Sequence, residues 1–462
     1  MYRYDAGRGA ASPEKLTLPF SVRWTLQLPA SRPAWPASQT KLQFDRTYEP
    51  IAAAGKLFVG STVNDTVTAF DTGTGNELWR FYTNGPVRFA PVFHRNRIYA
   101  ISDDGYLYCL DAKNGKLVWK YNGGPSDRLI LGNDRLISSW PARGAPVIYD
   151  DTVYFAASLW PSMGIFIHAV DAQTGKRIWL NSGTGSTFMI HPHNTPSFGS
   201  IVPQGYLAAT EKWLIVPGGR STPAVFHRKT GELVQFRFDG KRGGDMVQAR
   251  GDNYFIDGAR YNAQDGRRMA ESRPSILTDS LAIESRRGRF LATRIEGKLV
   301  TTKTRDRRGN AQIKTRFEVP QVWNFIIPNM APQTPYLLAG NLLFSAEKGR
   351  IAAFDISDAT QKKGIVSPVW TAKVESEVWN MIAADGQLFV VTLAGKIICF
   401  GNIDNSTPAI HHPLSRSNSN DRRENRRSEE AQEILRLTNQ NEGYAIVLGL
   451  SDGELVRAFT ET

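Results

Sequence analysis

Short runs of alternating apolar and polar residues recur along the chain, and each is closed by turn-forming residues. GYLYCL (105–110) is one such run, the alternation of a half-buried β-strand. It leads directly into DAKNGKLVWKY (111–121). The same order of residue types stands in TAFDTGTGNELWRF (68–81) and HAVDAQTGKRIWLN (168–181): a small residue, an apolar residue, Asp, a few turn residues, Gly, and then an apolar residue and Trp. Weaker copies follow. AVFHRKTGELVQFR (224–237) has His227 and Gln235 where the others have Asp and Trp. RYNAQDGRRMAES (260–272) keeps only Asn262 and Gly266, and AAFDISDA (352–359) reaches PVWTAKV (368–374) through an insertion.

The spacing has a mechanical meaning. Asp71, Asp111 and Asp171 are placed to cap a turn with their side chains, and Gly75, Gly115 and Gly175 supply the positive φ such a turn needs. The next strand delivers Trp79, Trp119 or Trp179 into a gap that one sheet cannot fill alone. A further strand pair precedes each motif, as in AAAGKLFVGS, APVFHRNRIYAIS, APVIYDDTVYFAA, YLLAGNLLFSA and MIAADGQLFVVT. Each unit is thus four short antiparallel strands, and repetition of such units predicts an all-β, eight-bladed β-propeller over 21–402. The fifth and sixth blades, at about 244–320, are degenerate. The last blade has no Trp strand of its own, and SVRWTLQL (21–28) is expected to supply it through Trp24, closing the ring and leaving no open edge. Residues 1–20 form an N-terminal arm.

The repeat resembles that of the quinoprotein alcohol dehydrogenases and their relatives, the PQQ-like propellers with tryptophan-docking motifs. That family includes dehydrogenases that bind pyrroloquinoline quinone with calcium, and also non-catalytic scaffolds such as an outer-membrane assembly lipoprotein, so the resemblance implies a fold and leaves the activity open. Many of the dehydrogenases carry an adjacent Cys-Cys pair under the quinone. Here Cys109 and Cys399 are far apart and take the small-residue position of the repeat, where Ala69, Ala169 and Ala353 stand elsewhere. Both are expected as buried, unbridged side chains, and His168 in IFIHAVD as a packed one. No Asp/Glu/Asn set for calcium is evident. A non-catalytic scaffold that binds a ligand or protein is therefore the first expectation, with no cofactor; a quinone-dependent dehydrogenase is the second.

Long connections are informative in a fold built of short ones. Two are long, 122–147 and 181–206, and 320–333 is moderately so. At the entries to the inner strands stand Arg88, Arg143, Gln204 and Trp379. With Trp140, His191, His193 and Trp323 they are expected to form a polar, aromatic-lined funnel mouth. The two arginines favour an anionic small molecule or peptide, since guanidinium pairs well with carboxylate or phosphate. His191 and His193 offer two metal ligands without an evident third, so no metal site is expected.

Charge changes the picture little. The net charge is +12, but much of it lies in TKTRDRRGNAQIKTR (302–316), read as a long exposed hairpin, and in SRSNSNDRRENRRSEE (415–430), read as solvated linker. The basic runs lack interleaved aromatics, so nucleic acid is not expected as a partner. No stretch approaches the roughly 18 apolar residues of a membrane span, and a monomer is expected. MYRYDAGRGAASPEKL has no apolar core of signal-peptide type, which predicts a cytoplasmic location unless translation starts upstream of Met1.

After a polar linker (403–428), order is expected to return at 429–462. YAIVLG reads as a strand, Gly449-Leu-Ser-Asp-Gly453 as a glycine turn, and ELVRAF as a helix. This short α/β fragment resembles the start of a class I S-adenosylmethionine-dependent methyltransferase domain, with Ser451 where the motif has its middle glycine. The resemblance implies that Gly449, Asp452 and Gly453 would face the methyl donor. The acidic ribose-binding residue, about 20 residues further on, would fall past Thr462, so binding of that cofactor is expected only in a longer form, and a third expectation is that the propeller is accessory to a methyltransferase truncated in this chain.

Overall fold

The computed structural model describes residues 1–184, 187–190, 194, 196–199, 201–237, 242–305, 311–328, 331–359, 364–402, 407–413, 422–439 and 454–461. Two compact units are present, Met1–Pro413 and Leu414–Thr462. The first is an eight-bladed β-propeller. Its blades span 51–82, 92–122, 142–181, 208–235, 248–271, 276–326, 334–373 and 378–402, numbered here 1 to 8. The outer strand of blade 8 is Phe20–Gln27, which pairs antiparallel with Lys396–Asn402 and sets Trp24 opposite Cys399. The ring therefore closes as its sequence pattern predicts.

The repeat residues do mechanical work. The Asp71, Asp111 and Asp171 carboxylates each accept a backbone N–H two or three residues on, at 2.7–2.8 Å. Gly75, Gly115 and Gly175 hold φ of 72–77°. These glycines also leave room for an aromatic ring from the preceding blade. A Cβ on Gly75 would stand 2.8 Å from Trp24, one on Gly115 2.5 Å from Trp79, and one on Gly175 2.7 Å from Trp119. Gly231 meets Trp179 in the same way at 2.4 Å. Three of the indoles also donate across the blade boundary: Trp24 to the Thr72 carbonyl at 3.0 Å, Trp79 to Ala112 at 3.2 Å and Trp179 to Arg228 at 3.0 Å. At the next boundary Gln235 takes the place of Trp and lies against Gly266.

The N-terminal arm lies against the inner strands of the other half of the ring. Carbonyls of Ala6, Gly7, Gly9 and Ala10 accept the amides of Ala209, Ala249, Leu277 and Leu338, at 2.7–3.0 Å, one from each of blades 4, 5, 6 and 7. Ala11–Ser12 then pairs with Leu338 and Ala339 as a short parallel strand. The approach is close enough to require glycine: a Cβ on Gly7 would stand 2.3 Å from the Ala249 carbonyl oxygen, and one on Gly9 2.4 Å from that of Leu277. Arg8 is fully buried and donates to the carbonyls of Leu207 and Pro146 at 2.8 and 2.9 Å.

Blade 6 departs from the pattern. In blades 1 to 3 the third and fourth strands are joined by five residues (72–76, 112–116 and 172–176), whereas in blade 6 the connection is 295–320. Lys298–Arg305 and Ala311–Glu318 form a two-stranded antiparallel ribbon within it, in keeping with the hairpin expected there. In the second unit two helices, Arg422–Thr438 and Glu454–Glu461, are described. The first starts inside the stretch expected as linker; its many Arg and Glu residues are strong helix formers, and Glu433 pairs with Arg436 one turn on. No described helix is long and apolar enough to cross a membrane.

Candidate functional site

One end of the channel is capped. The connection 28–50, from the ring-closing strand to blade 1, crosses the mouth where the inner strands begin. Its Trp35 indole donates to the Gln204 side chain at 2.9 Å, and its Lys41 ammonium reaches Asp257 at 3.0 Å. Asn133 donates to the Ala34 carbonyl at 2.9 Å. Leu42 occupies the space beside Gly219, which has φ of 65°.

Beneath the cap the two arginines are held in ion pairs. Arg88 donates to Asp103 and to Asp45 of the cap, each at 2.6 Å. Arg143 donates to both Asp103 oxygens, at 3.0 and 2.9 Å, and to the Asn133 side chain at 2.8 Å. All four charged side chains are at most 3% exposed, so the group is buried and neutral in sum. Burial alone would raise the Asp103 carboxyl, but the Arg143 and Arg88 charges outweigh it and hold it below the usual range. Asp45, with Arg88 as its main charge partner, is pushed up by burial. Removing one member of such a group leaves an uncompensated buried charge, a loss of about 3–5 kcal/mol.

An aromatic column continues from the cap into the channel. Phe44 of the cap stacks on Phe89 at 4.8 Å, Phe89 meets Tyr206 edge-on at 5.2 Å, and Tyr206 stacks on Tyr2 of the arm at 4.0 Å. Glu49, at the end of the cap, is buried and accepts hydrogen bonds from the Trp379 indole and, at 2.9 Å, from Asn380. Burial pushes its carboxyl up to about 8 against these donors. Arg46 lies over the Trp379 ring at 5.6 Å.

Of the residues expected at the mouth, Arg88, Arg143, Gln204 and Trp379 all engage the cap or its partners. The arginines, expected from sequence to favour an anionic ligand, are held by Asp45 and Asp103 in this structure. Trp140 lies apart from this network; it is buried and donates to the Met163 carbonyl at 2.8 Å. Trp323 is not on a mouth loop at all. Gln321–Ile326 is the outer strand of blade 6, and Trp323 stacks on Phe325 within it. The inserted ribbon displaced that strand from its usual spacing, so the run read as a loop. His191, His193, Gly449, Asp452 and Gly453 lie outside the described residues. Asp45 and Asp103, by contrast, carry no periodic signal. The visible clues were the proline-rich 29–36 and the unusual length of the connection containing it.

Cys109 and Cys399 are buried and unbridged, and burial pushes their thiols up to about 11 and about 12. His168 is packed against Phe155, donates from Nε2 to the Gly123 carbonyl at 2.9 Å, and is held down at about 4, chiefly by burial.

Pyrroloquinoline quinone is a flat polycarboxylate, and with calcium it needs free cationic groups, an open slot and a cluster of oxygen ligands. The mouth presents neutralised arginines, a filled aromatic column and a cap anchored on blades 4, 5 and 8. Among the described residues no group of three or more His, Cys, Asp or Glu side chains is arranged to hold a metal ion. The described residues at the mouth thus lack that arrangement.

Residues 22–187 and 164–407 match a family model of PQQ-like repeats described as Outer membrane protein assembly factor BamB. The chain belongs to this family. Two relatives match parts of the chain. A tetrathionate hydrolase of Acidithiobacillus ferrooxidans is 28% identical over 165 residues, which cover 35% of this chain and 30% of that protein. The dehydrogenase subunit of an alcohol dehydrogenase (quinone) of Gluconacetobacter polyoxogenes is 32% identical over 144 residues, covering 28% of this chain and 19% of that protein. The chain thus matches less than a third of the length of either relative. Among solved structures, the computationally designed Ika8 protein aligns at a TM-score of 0.50 and 12% identity, over 83% of this chain and 100% of that one. The quinohemoprotein alcohol dehydrogenase of Comamonas testosteroni aligns at 0.48 and 13%, over 90% and 81%. At 12% identity the likeness to the Ika8 protein speaks to fold alone.

Proposed function

We propose that this chain is a non-catalytic PQQ-like propeller that works as a protein-binding scaffold. The observation that carries this reading is the occupation of the channel mouth by the chain itself. Asp45 of the cap neutralises Arg88, Phe44 begins the aromatic column, and Tyr2 of the arm ends it. A propeller with its axis filled has only its outer surface and faces left for recognition, where loops carry binding on a rigid frame. Family membership supports the reading, because the matching model is described by an assembly factor. The tryptophan-to-glycine contacts between blades support a rigid frame of the tryptophan-docking kind.

The test is direct. The full chain is incubated with pyrroloquinoline quinone, calcium, a panel of primary alcohols and an electron-accepting dye. The expected result is no dye reduction above the protein-free control and no rise in Tm with quinone. Quinone-dependent turnover would overturn the proposal and favour the dehydrogenase reading.

A further inference from the structure

Residues 286–316 contain 11 Lys and Arg and only 2 Asp and Glu, an excess of nine positive charges in a chain whose net charge is +12. The excess centres on the ribbon inserted in blade 6. Its two strands pair only with each other and join no blade. A two-stranded hairpin of this kind is marginally stable in water on its own. With eight paired positions it reaches about 26 Å.

Beside exposed threonines, the ribbon presents cations and apolar side chains. Lys298, Lys303 and Arg316 are exposed cations. Leu299 and Ile313 are exposed apolar residues, at 50% and 69%. The register sets Lys303 opposite Ile313, and strand alternation puts Leu299 and Lys303 on the same face. That face therefore mixes apolar groups with positive charge. Lys298 and Lys303 have no ion-pair partner among the described residues, whereas Arg316 is paired with Glu318. The base of the ribbon is fixed: Arg260 of blade 5 lies over the Phe317 ring at 4.4 Å.

We propose that this ribbon docks the propeller on an anionic phospholipid surface. Charge complementarity selects an anion, and the exposed apolar residues select a lipid interface. A nucleic acid would reward the cations but gain little from Leu299 and Ile313, and the ribbon offers no exposed aromatic ring for base stacking. Cations near an anionic leaflet attract it over a Debye length, and each contributes about five-fold in partition. Apolar side chains then enter the headgroup boundary. Without a described membrane-spanning helix, such binding would be peripheral and reversed by salt.

The experiment is co-sedimentation of the full chain with vesicles of phosphatidylcholine alone or with 30% phosphatidylserine. Binding is expected only to the anionic vesicles and is expected to fall as salt rises. Lys298→Gln with Lys303→Gln should lower the partition about 25-fold, and Leu299→Ser with Ile313→Ser should lower it at unchanged Tm, since neither residue is in the core. Equal binding of wild type and both variants would overturn the proposal. So would absence of binding to anionic vesicles at low salt, or displacement from them by duplex DNA at equal phosphate concentration.

Discussion

Blades 8, 1, 2, 3 and 4 are joined at the rim, while blades 4, 5, 6 and 7 are joined at the axis. In the first group Trp24, Trp79, Trp119 and Trp179 each fill the space that a glycine of the next blade leaves open. In the second, Gln235 replaces the indole between blades 4 and 5, blade 6 keeps one in Trp323, opposite Ala292 and buried against blade 7, and the arm supplies a backbone hydrogen bond to each inner strand in turn. The two devices meet at blade 4, which receives both Trp179 and the Ala6 carbonyl. The difference teaches why the repeat decays where it does. A blade boundary without its tryptophan loses buried aromatic area, and a strap of main chain through the channel offsets that loss without requiring any particular side chain. The strap requires glycine instead, because only Gly7 and Gly9 let the arm approach the carbonyls of blades 5 and 6.

The comparison is broken most severely at the rim. Trp24 is 1% exposed and closes the ring. Trp24→Ala is expected to cost about 3–5 kcal/mol, in the range of large-to-small core substitutions. Gln235→Ala, at the corresponding place between blades 4 and 5, should cost about 1 kcal/mol. Denaturant unfolding of the two variants measures both, and equal losses would mean that the rim contacts do not distinguish the halves.

A smaller effect sharpens the account of the cap. Glu49 has its folded-state pKa raised to about 8, chiefly by burial. The folded chain therefore binds this proton more tightly than the unfolded chain, so the contribution to stability is full below the unfolded value near 4.3 and is lost as pH rises through about 8. Stability should fall over this window with a slope of up to about 1.4 kcal/mol per pH unit. Glu49→Gln, which stays neutral and keeps an acceptor for Trp379, should flatten the slope. Tm measured from pH 5 to 9 in both forms checks the sign.

Much of the frame was legible because it repeats. The Asp-to-Gly-to-Trp spacing marks four-stranded units even where Asn262 or Gln235 replaces a member, and Trp24 announces the strand that closes the ring. Arg88, Arg143, Gln204 and Trp379 were legible as a group because each stands at the start of an inner strand. What fills the mouth was not. Asp103 lies in the turn SDDG and Asp45 in an irregular segment, and their pairing with Arg88 is made by side chains across 15 and 43 residues of chain. No periodicity reports such contacts. Trp323 was misplaced for the opposite reason: a ribbon of 298–318 broke a spacing that was otherwise dependable. Residues 1–20 were legible as an arm but not its place along the inner strands, because its decisive atoms are backbone carbonyls, which every residue has; its one signal was the glycine alternation in AGRGA.

The most direct test of the central claim, that the arm holds blades 4 to 7 from the axis, is native-state amide exchange in Gly7→Ala with Gly9→Ala. Protection is expected to fall at the Ala249 and Leu277 amides, with smaller losses at Ala209 and Leu338, while the strands carrying Ala69, Cys109 and Ala169 in blades 1 to 3 keep theirs. Unchanged protection at Ala249 and Leu277, or an equal fall in all blades, would contradict it.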